Sequence, residues 1–256
     1  MLRFKNNKTF ICAFLTACYT GMRTGEIFAL TWDDIDLEKK IIKINKTVYS
    51  KIKDDKGRWF LGTTKTKGSC RDVFICDTLY KVLSKYKENQ ELLKKKYGRK
   101  YKKYALEPIK NKYGKINEYK VIEINHKNAR SVEMVFTKNN GLYVGTDIIK
   151  YPFKIIHNEL GIENCRFYDL RGSYATKILR KGAEIRDVAD ILGHSRIETT
   201  ENYYISSSEE SRKHASEIFE KSIQSSIIDE IIGKYWYYLK KQENNGKIML
   251  GTEDNR

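Results

Sequence analysis

The sequence has 256 residues, 40% of them hydrophobic, enough to bury a real core and exclude an intrinsically disordered chain. Its 49 Lys and Arg against 33 Asp and Glu leave a net charge of +16, a surplus that favours nucleic acid over a membrane surface as partner. No apolar run approaches the ~20 residues of a spanning helix. MLRFKNNKTF lacks the apolar core of a signal peptide, and Cys12, Cys18, Cys70, Cys76 and Cys165 form no Cys-x-x-Cys pair. The expectation is a soluble, cytoplasmic protein with no membrane contact, no disulfide framework, no metal and no cofactor.

In chain order, Phe10, Ile11, Phe14, Leu15 and Cys18 share one face at helical spacing, which predicts a helix over residues 9–19 that ends near Gly21. RTGEIFALTWDDI reads as a second short helix. KIIKI, RWFLG and RDVFI are short β-prone runs separated by Lys, Gly, Asp and Asn, and predict a three-stranded antiparallel meander near residues 40–76. Residues 85–120 hold 13 Lys and Arg, 4 Asp and Glu and six tyrosines, so more than half of the excess charge sits there. That stretch is either a solvated helix end and loop or a groove tracking a phosphate backbone, with tyrosines against sugars or bases. KVIEIN and SVEMVFT suggest a hairpin, followed by a helix near residues 146–160.

Two helices follow. YDLRGSYATKILRKG closes on Gly182 and AEIRDVADILG on Gly193, each glycine suited to a left-handed C-cap. Ser195 with Glu198 forms a Ser-x-x-Glu capping box, so the chain re-enters a helix just after His194. A second box, Ser206 with Glu209, precedes Ile218, Phe219, Ile223, Ile227, Ile231, Tyr235 and Leu239 at helical spacing. This is an amphipathic helix, interrupted at Gly233, which covers its own core or docks on a neighbouring subunit. QENNGKIMLGTEDNR reads as a loose tail. The fold class is mainly α with a small antiparallel β-sheet (α+β), divided into residues 1–206 and a C-terminal helix and tail over residues 207–256.

Cleaving a phosphodiester without a metal needs cations for the growing charge on the non-bridging oxygens, a proton donor for the leaving oxygen, and an attacking side-chain oxygen. Arginines suit the first task, because a guanidinium stays charged and grips phosphate through parallel donors. TGMRTGEI offers Arg23, with Glu26 one helical turn on. TKTKGSCRDVFI offers two lysines ahead of a strand, and YDLRGSY offers Arg171. ILGHSRIETTENYY offers His194 and, nine residues later, Tyr203. Taken singly, Arg23 is more often a surface residue at a helix cap, and His194 a helix-terminal hydrogen-bonder. RDVADILGHSRIETTENYY alone could form a helix-turn-helix.

Together and in this order, the motifs resemble the tyrosine recombinase family of the phage-integrase type, over nearly all of residues 5–210. The resemblance implies a catalytic set of Arg23, Lys65 or Lys67, Arg171, His194 and Tyr203. Lys65 is preferred because related Lys-Thr-Lys runs use their first lysine, and the nine-residue spacing selects Tyr203 over Tyr204. The family's His-x-x-Arg reads Tyr168-Asp169-Leu170-Arg171 here, and a tyrosine hydroxyl is a poor proton acceptor at neutral pH. Tyr168 therefore shifts acid–base weight onto Lys65 and His194.

The implied reaction is attack by Tyr203 on the scissile phosphate to give a 3′-phosphotyrosine. Arg23 and Arg171 clamp the phosphate, a lysine protonates the 5′ oxygen, and His194 donates a hydrogen bond or shuttles a proton. Glu26 orients the first arginine. The implied partners are double-stranded DNA and further protomers in a tetramer on synapsed DNA, with neither metal nor ATP. The chain begins at the first helix of the family's catalytic domain, so the N-terminal core-binding domain is expected to be absent and tight sequence-specific binding to suffer. A helix-turn-helix regulator without chemistry and a type IB topoisomerase are the alternatives. The regulator needs neither TGMRTGEI nor TKTKGSCR, and Leu-Gly-His-Ser with paired threonines favours a recombinase over a topoisomerase.

Overall fold

The structure, a computed structural model, describes residues 2–51, 59–63, 70–124, 131–194, 196–205 and 233–234, with the backbone alone at residue 2 and at residues 202–205. Residues 6–207 form one compact unit, and residues 1–5 with 208–256 form a second. Within the second, the described parts are a 3₁₀ turn at Leu2–Phe4 and a helical pair at residues 233–234. The rest of the amphipathic stripe expected after Ser206 lies outside the described residues.

Helix α1 (Lys8–Thr20) starts where the Asn7 side chain accepts the Phe10 amide at 3.0 Å. It ends at Gly21 in the left-handed conformation, with φ 62°. Helix α2 (Thr24–Phe28) is shorter than RTGEIFALTWDDI suggests. The chain leaves it through a 3₁₀ turn at Trp32–Asp34, where the Asp34 carboxylate accepts both the Thr31 amide and hydroxyl.

The expected three-strand meander is two sheets. Strands β1 (Ile35–Asp36), β2 (Ile41–Ile44) and β5 (Arg71–Phe74) form one in the order β1-β2-β5. Strands β3 (Lys46–Ser50), β4 (Trp59–Thr63), β6 (Lys103–Lys110) and β7 (Ile116–Ile124) form the other in the order β3-β4-β7-β6, all antiparallel. KIIKI and RDVFI thus pair with each other, Ile42 facing Val73, while Leu61 of RWFLG sits between Val48 and Tyr119. Asn45 alone separates β2 from β3. At that break the buried Asp34 carboxylate holds both flanks, accepting from Asn45 at 3.4 Å and from the Lys46 ammonium at 2.6 Å.

KVIEI belongs to β7 and pairs with β6 rather than with SVEMVFT. The latter runs extended over the core and makes isolated bridges, Thr31 with Met134 and Tyr104 with Val132. Its carbonyls find another partner. The Gln90 amide, on helix α3 (Asp77–Tyr97), donates to Met134 O and Val135 O and accepts the Trp32 indole N–H at 2.6 Å. Residues 85–120 are therefore the end of α3 and the β6–β7 hairpin.

Helices α4 (Lys150–Leu160), α5 (Asp169–Arg180), α6 (Ile185–Leu192) and α7 (Glu198–Ile205) complete the unit. A relay of ring contacts, Phe10–Phe153–Phe167–Phe28–Phe136–Tyr86, ties α1, α4, α2, the SVEMVFT segment and α3 into one core. Ala175, Val188 and Leu192 pack α5 onto α6, with Tyr174, Ile178 and Leu179 around them. The fold is mainly helical with small antiparallel sheets, as the residue spacing and the family resemblance predict.

Candidate active site

TGMRTGEI is built around close approaches. A Cβ on Gly21 would lie 2.5 Å from Tyr174 Cδ1 and 2.9 Å from Leu192 Cδ2, so the end of α1 meets α5 and α6 only as glycine. A Cβ on Gly25 would lie 2.4 Å from Thr47 Oγ1, so α2 seats directly on β3. Between these glycines Arg23 caps α2, and its backbone N–H donates to the Glu26 carboxylate at 2.9 Å.

Three arginines converge on the C-terminal end of α6. Arg71 Nε donates to Ile191 O at 2.6 Å, Arg171 Nη2 to Leu192 O at 2.6 Å, and Arg23 Nη2 to Gly193 O at 3.0 Å. These consecutive carbonyls lie where a helix leaves acceptors unsatisfied and carries its negative dipole end, which is why cations collect there. Arg171 also donates to Gly21 O at 2.9 Å, which links α5 to the end of α1. Each guanidinium has five donors, so binding a carbonyl leaves others for a ligand.

Glu26 is the counter-charge. Its buried carboxylate accepts from Arg23 Nη1 at 2.8 Å and from Arg71 Nη1 and Nη2 at 3.1 and 2.9 Å, besides the Arg23 amide. Burial alone would raise this carboxyl. The hydrogen bonds and charge of Arg71, with those of Arg23, hold it below the usual carboxylate range. Burial and the neighbouring Arg23 bring Arg171 down to about 10, against the opposing pull of Glu26, which leaves it charged at neutral pH. Among the described residues, three guanidinium groups against the Glu26 carboxylate make the locality strongly anion-seeking.

His194 follows Gly193 directly. Its backbone N–H donates to Ala189 O at 2.9 Å, and its Nδ1 lies 2.8 Å from the Thr200 hydroxyl on α7. Burial, then Arg171, Arg23 and Arg71, push the imidazole down to about 4, so it is neutral at pH 7. The structure thus brings Arg23, Glu26, Arg171 and His194 into one cluster. Tyr168 stands at the start of α5, one turn before Arg171; it is 39% exposed, and its phenol is among the groups acting on Arg171. Tyr203 falls on α7, one turn beyond Thr200, with its side chain outside the described set. Lys65 and Lys67 lie outside the described residues.

Arg71 is the residue that the sequence reading missed. It stands in TKTKGSCRDVFI, where the lysines draw attention, and its partners Glu26 and Ile191 are 45 and 120 residues away. The available signal was an arginine opening the β-prone run RDVFI.

Residues 4–211 match the family described as the phage integrase family. Among curated proteins, the chain is 31% identical over 196 residues to a "Tyrosine recombinase XerC-like" protein of Caldanaerobacter subterraneus subsp. tengcongensis, covering 75% of this chain and 44% of that protein. It is 27% identical to the ICEBs1 integrase of Bacillus subtilis, covering 77% of this chain and 44% of that protein. The chain therefore spans less than half the length of these relatives. In fold it is similar to the Tn1549 transposon integrase solved with a circular intermediate DNA, with a TM-score of 0.54 and 18% identity over 81% of this chain and 58% of that one.

Proposed function

Since the chain belongs to the phage integrase family, we propose that residues 1–206 are the catalytic domain of a site-specific DNA recombinase, an integrase of a mobile element. In this reading it cuts and rejoins DNA through a 3′-phosphotyrosine at Tyr203, with neither metal nor ATP. The observation that carries the reading is the convergence of Arg23, Arg71 and Arg171 on the carbonyls of residues 191–193, around one carboxylate and beside a neutral His194. Such a cluster is preorganised for a phosphate whose non-bridging oxygens gain charge in the transition state.

The steps follow from that arrangement. The Tyr203 phenolic oxygen attacks phosphorus as its proton passes to solvent water, the P–O5′ bond breaks, and Lys65 gives its ammonium proton to the leaving 5′ oxygen. Arg23 and Arg171 take the non-bridging oxygens with the donors they do not spend on carbonyls, and Glu26 with Arg71 keeps Arg23 in place. Tyr168, beside Arg171, supplies a hydroxyl for hydrogen bonding to the phosphate or a neighbouring group. One phosphodiester replaces another, so attack by a second 5′ hydroxyl reverses the chemistry without an energy source.

The substrate is double-stranded DNA, held in part by the basic stretch over residues 85–120. Other protomers complete a tetramer on synapsed DNA, and residues 207–256 dock on a neighbour or fold back on their own subunit. The test is to incubate the chain with negatively supercoiled plasmid in EDTA, stop with denaturant, and compare covalent protein–DNA adduct with that of Tyr203→Phe. The reading predicts an adduct for the parent and none for the variant. Equal adduct from both would overturn it.

A further inference from the structure

We propose that Thr200 is a positioning residue that locks His194 in the neutral tautomer with its proton on Nε2, making the ring a hydrogen-bond donor to the scissile phosphate rather than a proton shuttle. The donor role rests on the function proposed above; the tautomer does not.

The Thr200 side chain is fully buried, and its Oγ1 lies 2.8 Å from His194 Nδ1. Of the other buried helical threonines, Thr16 and Thr20 spend their hydroxyl on the carbonyl one turn back, on Cys12 O at 2.8 Å and Thr16 O at 2.6 Å, and Thr9 donates across the core to Thr137 O at 2.6 Å. Thr200 instead turns to the imidazole. Among the described residues, Nδ1 is its hydroxyl's one hydrogen-bonding partner.

That single contact can be made in two ways. If Nδ1 carried the proton it would donate to Oγ1, and the threonine hydrogen would be left buried with no acceptor. If the threonine donates, Nδ1 accepts and both groups are satisfied. Buried hydroxyl groups are almost always paired, so the second arrangement wins and the imidazole proton sits on Nε2. An imidazolium would also have to donate from Nδ1, which leaves the same orphan hydrogen beside the charges of Arg171, Arg23 and Arg71. The nearby carboxylate that could offset a fourth cation, Glu26, is already held by Arg23 and Arg71. Geometry and charge therefore agree.

Thr200 and Tyr203 share α7, so docking that one helix brings the nucleophile's backbone to the site and sets the neighbouring ring as a donor. A histidine held in one tautomer by a side-chain partner acts through orientation, and the wrong tautomer disables an otherwise intact site.

The experiment is long-range proton–nitrogen NMR on the unsubstituted chain labelled with ¹⁵N-histidine at pH 7, with the His194 signals assigned by their loss in His194→Asn. The expected result is an unprotonated Nδ1 and a protonated Nε2, with Thr200→Ser the same and Thr200→Val giving a mixture. A protonated Nδ1 in the unsubstituted chain, alone or as part of an imidazolium, overturns the proposal. Single-turnover cleavage should fall about tenfold or more in Thr200→Val, with DNA affinity unchanged, and stay within about threefold in Thr200→Ser. Cleavage at the parent rate by a Thr200→Val protein whose tautomer has changed also overturns it. If Thr200→Val does not fold, the spectrum of the unsubstituted chain decides the tautomer. If the parent makes no adduct, the proposed function fails while the tautomer is still measured.

Discussion

Arg71→Met removes the one arginine of the cluster that sequence motifs do not single out, while a long unbranched side chain fills its space. The Arg71 side chain is 7% exposed and donates twice to Glu26 and once to Ile191 O. Removing one partner of a buried ion pair costs about 3–5 kcal/mol. Glu26 keeps its two bonds from Arg23, so the low end applies, about 3 kcal/mol. For a unit of this size each kcal/mol moves Tm by about 2–4 °C, which gives a fall of about 6–12 °C. The same pair fixes the pH dependence. The folded Glu26 carboxyl sits below its ordinary 4.5, so its stabilisation is complete above that value and is lost as pH falls through the folded one. Urea unfolding of the parent and of Arg71→Met should therefore show a gap that is full at pH 7 and narrows as pH drops below about 4.5. A gap under about 1 kcal/mol at pH 7, the worth of an exposed pair, would refute the reasoning.

His194→Asn should flatten the pH dependence of stability between about 6.5 and 5. The folded imidazole titrates only near about 4, so over that range the unfolded parent takes up a proton that the folded parent refuses. Urea midpoints at the two ends of the range measure the difference, and parallel profiles for parent and variant would contradict it. Gly21→Ala should destabilise by at least about 2 kcal/mol, because it adds a left-handed-backbone penalty to a 2.5 Å approach to Tyr174, and thermal unfolding reads the loss. Arg23→Lys keeps the charge but cannot reach Glu26 and Gly193 O together, so adduct formation should fall about 100-fold or more with plasmid binding nearly unchanged.

The parts of the site that were legible in the sequence are those whose chemistry demands a residue type in a compact motif. TGMRTGEI carried Arg23 and Glu26, and LGHS carried His194, because a turn, a cap and a functional group fall within a few residues. Arg71 was not legible, since its meaning lies in a carboxylate 45 residues away. Of the paired threonines, sequence spacing could not say which faces inward; the structure exposes Thr199 and buries Thr200. In the same way, alternating apolar residues revealed most strands but not their pairing. Asp34 decides the break between the two sheets through Asn45 and Lys46, contacts that no local pattern encodes. Strand β6 was hidden because it is an edge strand carrying Pro108 and flanked by lysines, with little hydrophobic alternation.

The most direct test of the central claim is to identify the residue that becomes linked to DNA. The adduct formed in EDTA would be digested with nuclease and protease and the nucleotide-bearing peptide sequenced by mass spectrometry. The account predicts a nucleotide joined through its 3′ phosphate to Tyr203, and no such peptide from Tyr203→Phe. Linkage to Tyr204 or Tyr168, or to any residue other than Tyr203, would contradict it.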